Sequence, residues 1–346
     1  MRTLDVFIKG IGVFLPETVS VEQAVEEGRY PAEDVALHEL AGAAVAGDTP
    51  APEMALWAAQ EAFKRCGHRP DDVDLLLYTD SWHQGPDGWQ PQYHLQRNLV
   101  GGRALAVELR HGCNGMFSAL ELAAAYLRIP GKRAALVVAA DNFSTPLVDR
   151  WRFGPGYIAG DAASAVVLTT EPGFAQLLSV CTGAVPEAEE VHRSGEPLFP
   201  PGPTVGRALN FSGRTADFNR RAVLEGAGTG IWMAVHRKLV DVVDRTLAEA
   251  CLDVDDITRA AFMNYSRQIV EHRGMVALGL PMSKSTWEFG RTVGHLGASD
   301  QIVSLDHLLG TGELRAGHHM LLVGVGPGIT ISSAIIKILS APPWAG

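Results

Sequence analysis

The sequence has few of the features that would assign it to a specialised class. It contains four cysteines in 346 residues, and their wide separation indicates neither a disulfide framework nor a zinc site. No apolar run reaches the roughly 20 residues that a membrane-spanning helix needs. The formal net charge of -10 lacks the basic excess typical of nucleic-acid binding. Since the first residues also lack a secretory pattern, we expect a cytoplasmic, enzyme-sized protein with reduced thiols and no metal.

What is present is an alternation of strand-like and helix-like segments along the chain. Residues 134–140 form an apolar run typical of a buried strand, and residues 230–252 have the three-to-four spacing of an amphipathic helix. This alternation predicts an α/β protein with buried sheets. A turn-rich segment near residue 172 divides the chain into two halves of similar plan, residues 1–172 and 173–346.

Residues 186–221 form a stretch rich in proline, glycine and charge that is too long for an ordinary connection. It is predicted to be a lid or a substrate-facing insertion, with a disordered loop as the alternative. Its basic end contains Arg220 and Arg221, which are candidates for binding an acidic carrier protein or a phosphate-bearing co-substrate. A solvated face of mixed charge accounts equally well for these arginines.

Cys113 is the strongest candidate for a reactive residue. It lies where the strand pattern of residues 104–109 turns through Gly112 into a helical pattern that begins at the cysteine itself. The unpaired amides and positive end of a helix favour thiolate over thiol, so this position suits a nucleophile. A small buried apolar residue is the alternative for any cysteine, but the strand, glycine turn and helix favour the nucleophile.

Three motifs resemble those of a known family. The strand-cysteine-helix element at residues 107–115, the Gly-Asp-Ala-Ala-Ser-Ala element at 160–165 and the Gly-x-Gly-Pro-Gly loop at 324–328 follow the order and spacing of the thiolase fold. Over essentially the whole chain, the sequence resembles β-ketoacyl-acyl-carrier-protein synthase III. The resemblance implies two duplicated βαβαβαββ halves, a five-layered αβαβα core and usually a homodimer. It also implies that Cys113 carries an acyl group as a thioester.

Two positions depart from the pattern of the family. Ketosynthases that this chain resembles have a histidine where this chain has Asn264, and an asparagine in the next loop, which corresponds here to residues 290–292. That histidine and asparagine ordinarily hold the carboxylate-bearing thioester and stabilise the enolate formed by decarboxylation. Their replacement favours acyl transfer over carbon-carbon bond formation, while Asn264 remains a candidate substrate-binding residue.

His295 and Asp300 are the candidate partners of Cys113. A histidine is able to take a proton from an incoming hydroxyl, and an aspartate close behind it is able to hold the other ring nitrogen and stabilise the imidazolium. The alternative is that Asp300 caps the following helix and His295 is a packing residue. His192, within the long insertion, is a competing candidate for the base.

The tetrahedral intermediate of acyl transfer requires preorganised hydrogen-bond donors. The backbone N–H of Cys113 is one candidate. The resemblance places the second donor in the 324–328 loop, where Pro327 has no N–H and Gly326 or Gly328 must supply it. A simple tight turn would use the same glycines.

These observations predict an acyltransferase that loads an acyl group onto Cys113 and passes it to a hydroxyl acceptor. The donor is an acyl-coenzyme A or an acyl-phosphopantetheine on a carrier protein, and no cofactor is permanently bound. The resemblance extends to divergent enzymes of aromatic polyketide and glycosylated antibiotic pathways, some of which acylate a sugar or similar hydroxyl. A starter-selecting ketosynthase and a catalytically silent partner of another ketosynthase are the alternatives.

Overall fold

The protein is an α/β protein, and the computed structural model describes residues 1–198, 206, 208–342 and 344. Part of the predicted insertion, residues 199–205 and 207, therefore lies outside the described residues. Among the described residues, none of the helices is long and apolar enough to cross a bilayer. The strands are β1 (Phe7–Phe14), β2 (Thr18–Ser20), β3 (Gly42–Ala44), β4 (Leu75–Asp80), β5 (Leu105–Arg110), β6 (Ala134–Asp141), β7 (Ala162–Thr169), β8 (Ala175–Ala184), β9 (Ile257–Ala261), β10 (His319–Gly326) and β11 (Thr330–Ile338).

The helices connect these strands and cover the faces of the sheet. They are α1 (Val21–Glu26), α2 (Ala32–His38), α3 (Ala51–Cys66), α4 (Gln92–Leu95), α5 (Gly115–Tyr126), α6 (Phe211–Leu224), α7 (Gly230–Ala250), α8 (Trp287–Val293) and α9 (Asp300–Gly310). The insertion predicted at residues 186–221 is partly helical, since it begins with the 3-10 helix Pro186–His192 and continues into α6.

The main sheet has the strand order β5-β4-β6-β7-β1-β8-β11-β10-β9. In the first half β4 pairs in parallel with β5 and β6, and β7 returns antiparallel to lie beside β1. In the second half β9 and β10 are parallel, and β11 returns antiparallel to lie beside β8. The order β4-β6-β7-β1 in the first half therefore matches β9-β10-β11-β8 in the second, with β5 added at the edge of the first half, and the link between β7 and β8 contains residue 172.

Strands in both halves are buried on both faces, which explains their continuous apolar sequences. In β10, Met320 and Leu322 face a central core with α5 and α9, whereas Leu321 and Val323 face an outer core with α7. In β6 the same alternation separates the central core from an outer core formed with α3. The layers are thus helix, sheet, helix, sheet and helix, as the sequence predicted.

A buried ion pair between Arg150 and Asp161 links loop segments in the first half of the chain. The Arg150 guanidinium donates to both oxygens of Asp161, at 3.1 and 2.9 Å, and Asp161 has no exposed side-chain surface. Asp161 also accepts from the backbone amides of Ala46 and Phe143, at 2.8 and 2.7 Å. The carboxylate therefore holds three segments of chain beside the start of β7.

Replacing Asp161 with alanine is expected to lower the free energy of unfolding by about 3–5 kcal/mol, because it leaves a buried guanidinium and two amides without their acceptor. Chemical denaturation followed by circular dichroism measures this loss. The control is Glu171→Ala, which removes the exposed ion pair with Lys9 and should barely move the unfolding midpoint. Equal midpoints for the two variants would contradict this assignment.

Candidate active site

Cys113 lies in a tight turn between β5 and α5. Gly112 has a φ of +56°, and a Cβ at this position would lie 2.8 Å from the Pro327 ring, so both the backbone conformation and the close packing require glycine. The helix begins at Gly115, and Cys113 belongs to the 3-10 turn Gly112–Asn114 that precedes it. The prediction that the helix begins at Cys113 was therefore wrong by two residues, because the strained turn is needed to redirect the chain.

The glycine-rich loop between β10 and β11 packs directly on this turn. Asn114 is fully buried, and its Nδ2 donates to the backbone oxygen and to Oγ1 of Thr330, both at 3.0 Å. A Cβ on Gly324 would collide with the Asn114 amide, and one on Gly326 would lie 3.1 Å from Asn114 Cγ. The backbone of Gly326 therefore lies against the turn that carries Cys113, and Gly328, with a φ of +118°, turns the same loop.

His295 is held by backbone hydrogen bonds on both sides. Its N–H donates to the Ile158 oxygen at 2.8 Å, and its own oxygen accepts from the Gly160 N–H at 2.8 Å. Gly294 precedes it with a φ of +77°, and a Cβ there would lie 2.8 Å from the Ile158 oxygen. The ring is 2% exposed, so it has a fixed position between the two halves of the molecule.

Cys113, His295 and Asp300 form one continuous chain of contacts. The Cys113 Sγ lies 3.0 Å from His295 Nε2, and His295 Nδ1 lies 2.6 Å from Asp300 Oδ2. Asp300 is fully buried at the start of α9, where its Oδ1 accepts from the Leu296 N–H at 2.7 Å. The geometry is that of a nucleophile, a base and an orienting carboxylate.

The charges of this chain favour a protonated imidazole. Burial lowers the pKa of His295, but the Asp300 carboxylate and the Cys113 sulfur outweigh burial and raise that pKa well above its ordinary value. An imidazolium with Nδ1 donating to Asp300 leaves Nε2–H to stabilise a thiolate on Cys113. The His295 ring therefore lies where its Nε2 is able to exchange a proton with the Cys113 sulfur.

Asn264 donates hydrogen bonds to Asp300. Its backbone N–H and its Nδ2 donate to the two oxygens of Asp300, at 3.1 and 2.9 Å, and Nδ2 also donates to the Gly294 oxygen at 2.9 Å. The side chain is buried, and its donor groups are used within the protein. The amide donors of Asn264 are therefore occupied within the protein, and its role in substrate binding stays a prediction.

The prediction that residues 290–292 form a loop was wrong. These residues lie inside α8, where a Cβ on Gly290 would collide with the Asn264 amide. The segment that enters the site is the loop of residues 294–299. The loop at 290–292 was expected only from the family resemblance, which did not fix the secondary structure of these residues.

Two tyrosines that the sequence analysis missed enclose His295. Tyr157 and Tyr265 stack with ring centroids 4.6 Å apart, and their centroids lie 5.3 and 5.1 Å from that of His295. Burial raises the pKa of both phenols well above the ordinary value, so the hydroxyls stay neutral. The only signal in the sequence was a glycine, Gly154, three residues before Tyr157. In the structure a Cβ at Gly154 would collide with the Tyr157 ring.

His192 lies away from the thiol, behind a row of aromatic rings. Its ring packs on Phe211 at 5.0 Å, and Phe211, Phe153 and Tyr157 then contact one another in sequence up to His295. Burial lowers the pKa of His192 to about 4, so it is neutral at physiological pH. No hydrogen bond joins it to Cys113 within the described residues, and the geometry favours His295 as the base.

Arg220 and Arg221 lie on α6, where acidic neighbours already pair with them. Arg220 contacts Asp217, and Arg221 contacts Glu190 at 2.8 Å and Asp217 at 3.4 Å. Their charge is therefore largely compensated within the protein, which weakens the predicted role in binding a carrier or phosphate. The described residues contain no cluster of three or more histidine, cysteine, aspartate or glutamate side chains able to hold a metal ion.

Two neighbouring cavities approach the site. One of about 620 Å³ is lined by Ser266 and Gln268, and one of about 590 Å³ is lined by Tyr157 itself. Both are lined by Pro155 and Gly156, directly before the tyrosine that contacts His295. The second cavity therefore reaches the tyrosine that contacts His295, while the described lining of both cavities includes neither Cys113 nor His295.

Comparison with known proteins gives a consistent result. Residues 107–185 match the family 3-oxoacyl-[acyl-carrier-protein (ACP)] synthase III, and residues 247–338 match its C-terminal family. The β-ketoacyl-[acyl-carrier-protein] synthase III of Acidiphilium cryptum is 26% identical over 337 residues, which cover 95% of this chain and 98% of that protein.

Solved structures extend the comparison. The structure of the acyltransferase ChlB3 is 66% identical, with a TM-score of 0.94 and coverage of 99% of this chain and 100% of that one. The 3-oxoacyl-(acyl carrier protein) synthase III FabH from Pseudomonas aeruginosa is 23% identical, with a TM-score of 0.77 and coverage of 98% and 99%. These likenesses confirm the predicted thiolase fold.

Replacing His295 with glutamine is expected to slow alkylation of Cys113 by iodoacetamide at neutral pH by roughly tenfold or more, because the thiolate loses its imidazolium partner. Peptide mass spectrometry measures alkylation of Cys113 separately from the other three cysteines. The control is His83→Gln, which changes an exposed histidine and should leave the rate unchanged. An unaltered rate in the His295 variant would show that the pair does not activate the sulfur.

Proposed function

Because the chain belongs to the 3-oxoacyl-[acyl-carrier-protein] synthase III family, we propose that it is an acyltransferase that carries its acyl group on Cys113 and delivers it to a hydroxyl acceptor. Enzymes of this family use acyl thioesters without a permanently bound cofactor. The observation that carries the proposal is the Cys113–His295–Asp300 chain, together with the use of Asn264 to hold Asp300. A sugar or similar hydroxyl in secondary-metabolite biosynthesis is the acceptor class we propose.

Loading begins with attack of the Cys113 thiolate on the thioester carbonyl of the donor. A sulfur-carbon bond forms, and the negative charge on the carbonyl oxygen is stabilised by the Cys113 N–H and by an amide of the Gly326–Gly328 turn. Collapse of this intermediate breaks the bond between the acyl carbon and the donor sulfur. The departing thiolate takes the Nε2 proton of His295, which leaves a neutral imidazole beside the acylated cysteine.

Discharge uses that neutral imidazole as a general base. Nε2 removes the proton of the acceptor hydroxyl while its oxygen attacks the acyl carbon, and the acyl-sulfur bond then breaks. The Cys113 thiolate reforms beside the imidazolium, which restores the starting state. Asp300 accepts the hydrogen bond from Nδ1 throughout and holds the orientation of the imidazole.

Acyl transfer accounts for the arrangement of His295 and Asn264 better than decarboxylative condensation does. Condensation needs groups that hold a carboxylate and then stabilise an enolate, while the Asn264 amide is occupied by Asp300 and Gly294. Ester formation needs only a cysteine thioester and a base in contact with it, and His295 supplies the base.

The 620 Å³ cavity is the proposed route of the donor. The described residues that line it include Arg273, His272 and His38 but no carboxylate, which suits the phosphate of a phosphopantetheine arm. Its inner wall contains Ser266, whose N–H donates to the Gly156 oxygen at 2.7 Å beside the stacked tyrosines. Both acyl-coenzyme A and an acyl carrier protein present such an arm.

We also propose a homodimer formed through the edge of the main sheet. β5 is the outermost strand of the first half, and Leu105 on this strand is 53% exposed. Leu122 of α5 and the following Ile129 are similarly exposed. An unpaired strand edge beside apolar side chains is a surface that a second copy is able to cover.

Replacing Cys113 with alanine is expected to abolish covalent acylation, while His295→Ala should still permit acylation but slow discharge to the acceptor by at least about a hundredfold. Intact-protein mass spectrometry after incubation with malonyl, acetyl and propionyl thioesters measures both steps. The control is Cys66→Ala, which removes a thiol that has no contact with His295 among the described residues.

Different products would contradict the proposal. Release of carbon dioxide with a β-ketoacyl product would show condensation and favour a starter-selecting ketosynthase. Absence of any adduct on Cys113 with all donors would favour a silent partner protein. Normal turnover in the His295 variant would return the role of base to His192.

Replacing Leu122 with arginine is expected to shift the protein from dimer to monomer, because a charge at the centre of the proposed interface is costly to bury. Sedimentation velocity at micromolar concentration measures the change. The matched control is Leu224→Arg, at a leucine on α6 that is 80% exposed and distant in sequence from β5 and α5. A wild-type protein that sediments as a monomer would overturn the proposal.

A further inference from the structure

A second buried carboxylate lies next to the loop that carries His295. Asp141 ends β6 and is 1% exposed. Its Oδ1 accepts from the backbone N–H groups of Ser81 and Trp82, both at 2.8 Å, whereas its Oδ2 has no hydrogen-bond partner among the described residues. A buried carboxylate oxygen without a donor is energetically costly and calls for an explanation.

The unpartnered oxygen faces the loop of residues 294–299. Gly297 has a φ of +60°, and a Cβ at this position would collide with Asp141 Oδ2. At the end of the same loop, the Ser299 hydroxyl donates to the Ala139 oxygen, two residues before Asp141, at 3.3 Å. The loop that positions His295 is thus packed against Asp141 at Gly297.

Asp141 has a like-charged neighbour. Asp80 ends β4, which is paired in parallel with β6, so the two carboxylates lie at the same edge of the sheet. Asp80 is 2% exposed, and its Oδ2 also lacks a partner among the described residues. The adjacent strand β5 contributes Glu108 and Arg110 next to Asp80.

We propose that Asp141 is a positioning residue for the reaction. When Asp141 is ionised, it supplies a second negative charge near His295, and this charge increases the fraction of Cys113 present as thiolate. Asp300 has a different role, because its oxygens accept hydrogen bonds from Leu296, Asn264 and His295 and hold it as the carboxylate that orients the imidazole. The inference rests on the Cys113–His295 pair of the proposed function but not on the identity of the donor or acceptor.

The ionisation of this cluster falls near neutral pH. Burial raises the pKa of Asp141 to about 7, although the Ser81 and Trp82 amides and the charge of His295 oppose the rise. Burial, together with the charges of Asp141 and Glu108, raises the pKa of Asp80 to about 8, while Arg110 opposes it. The Tyr78 phenol, which faces the same carboxylates, stays neutral because burial raises its pKa well above the ordinary value.

The sign of the effect follows from these directions. Below about pH 7 Asp141 is protonated and neutral, so only Asp300 stabilises the imidazolium. As the pH rises past this value, Asp141 becomes an anion and favours the imidazolium-thiolate pair over the neutral pair. Reactivity of Cys113 should therefore increase through a step near neutrality that belongs to Asp141.

The test measures the rate of Cys113 alkylation by iodoacetamide from about pH 5.5 to about pH 9.5, in wild-type protein and three variants. We expect the wild-type rate to rise roughly three- to tenfold through a step near pH 7. Asp141→Asn, which keeps the shape and the Oδ1 acceptor, should remove this step. Asp80→Asn should leave this step in place, because Asp80, with a pKa of about 8, is still neutral when Asp141 ionises.

Asp87→Asn is the matched control, since Asp87 follows β4 in a fully exposed position and its variant should behave as wild type. A step retained in Asp141→Asn, or one that is lost in Asp80→Asn, overturns the proposal. A uniform loss of rate at every pH in Asp141→Asn, with the step preserved, shows a purely structural role and also overturns it. This alkylation test is independent of the acylation assays. If the protein takes up no acyl group but shows the Asp141 step, only the proposed acyl transfer is contradicted.

Discussion

The contact on which the site depends is the 2.6 Å approach of His295 Nδ1 to Asp300 Oδ2. A fully buried carboxylate is costly unless every oxygen is supplied with donors. Here the donors come from the imidazole, from the Leu296 N–H and from Asn264 through both its backbone and its side chain. The need to satisfy one buried charge therefore fixes the start of α9, the end of the segment after β9 and the orientation of the imidazole that contacts Cys113.

The duplicated fold explains how these groups meet. Cys113 follows β5 in the first half, while His295 and Asp300 precede and begin α9 in the second half. α5 and α9 both pack in the central layer between the two halves of the sheet, so the turns at their starts are brought together at one place. Backbone hydrogen bonds between residues 158–160 and His295 close the junction from the first half. Cys113 and His295, which are distant in the sequence, are thus held next to each other by the packing of the two halves.

Asn264 shows that similarity in fold does not fix the role of a position. The sequence resembles ketosynthases that have a histidine there, yet in this protein the side chain at residue 264 serves the carboxylate behind the base. The proposed general base, His295, is instead on the loop of residues 294–299, where Gly294 permits the turn and the stacked tyrosines enclose the ring. The likeness at 66% identity to the structure of the acyltransferase ChlB3 supports the proposed acyl transfer.

The amino-acid sequence by itself determined the α/β class, the buried strands, the nucleophile candidate Cys113 and the pairing candidates His295 and Asp300. These features depend on local periodicity, on the glycine turns and on short motifs that the thiolase resemblance placed in order. Only the tertiary structure decided that Asn264 faces Asp300, that Arg220 and Arg221 are already paired, and that Tyr157 and Tyr265 enclose the base. The reason is physical: each of these outcomes depends on which donors, charges and rings from distant segments occupy the same small volume, and sequence spacing does not encode that packing.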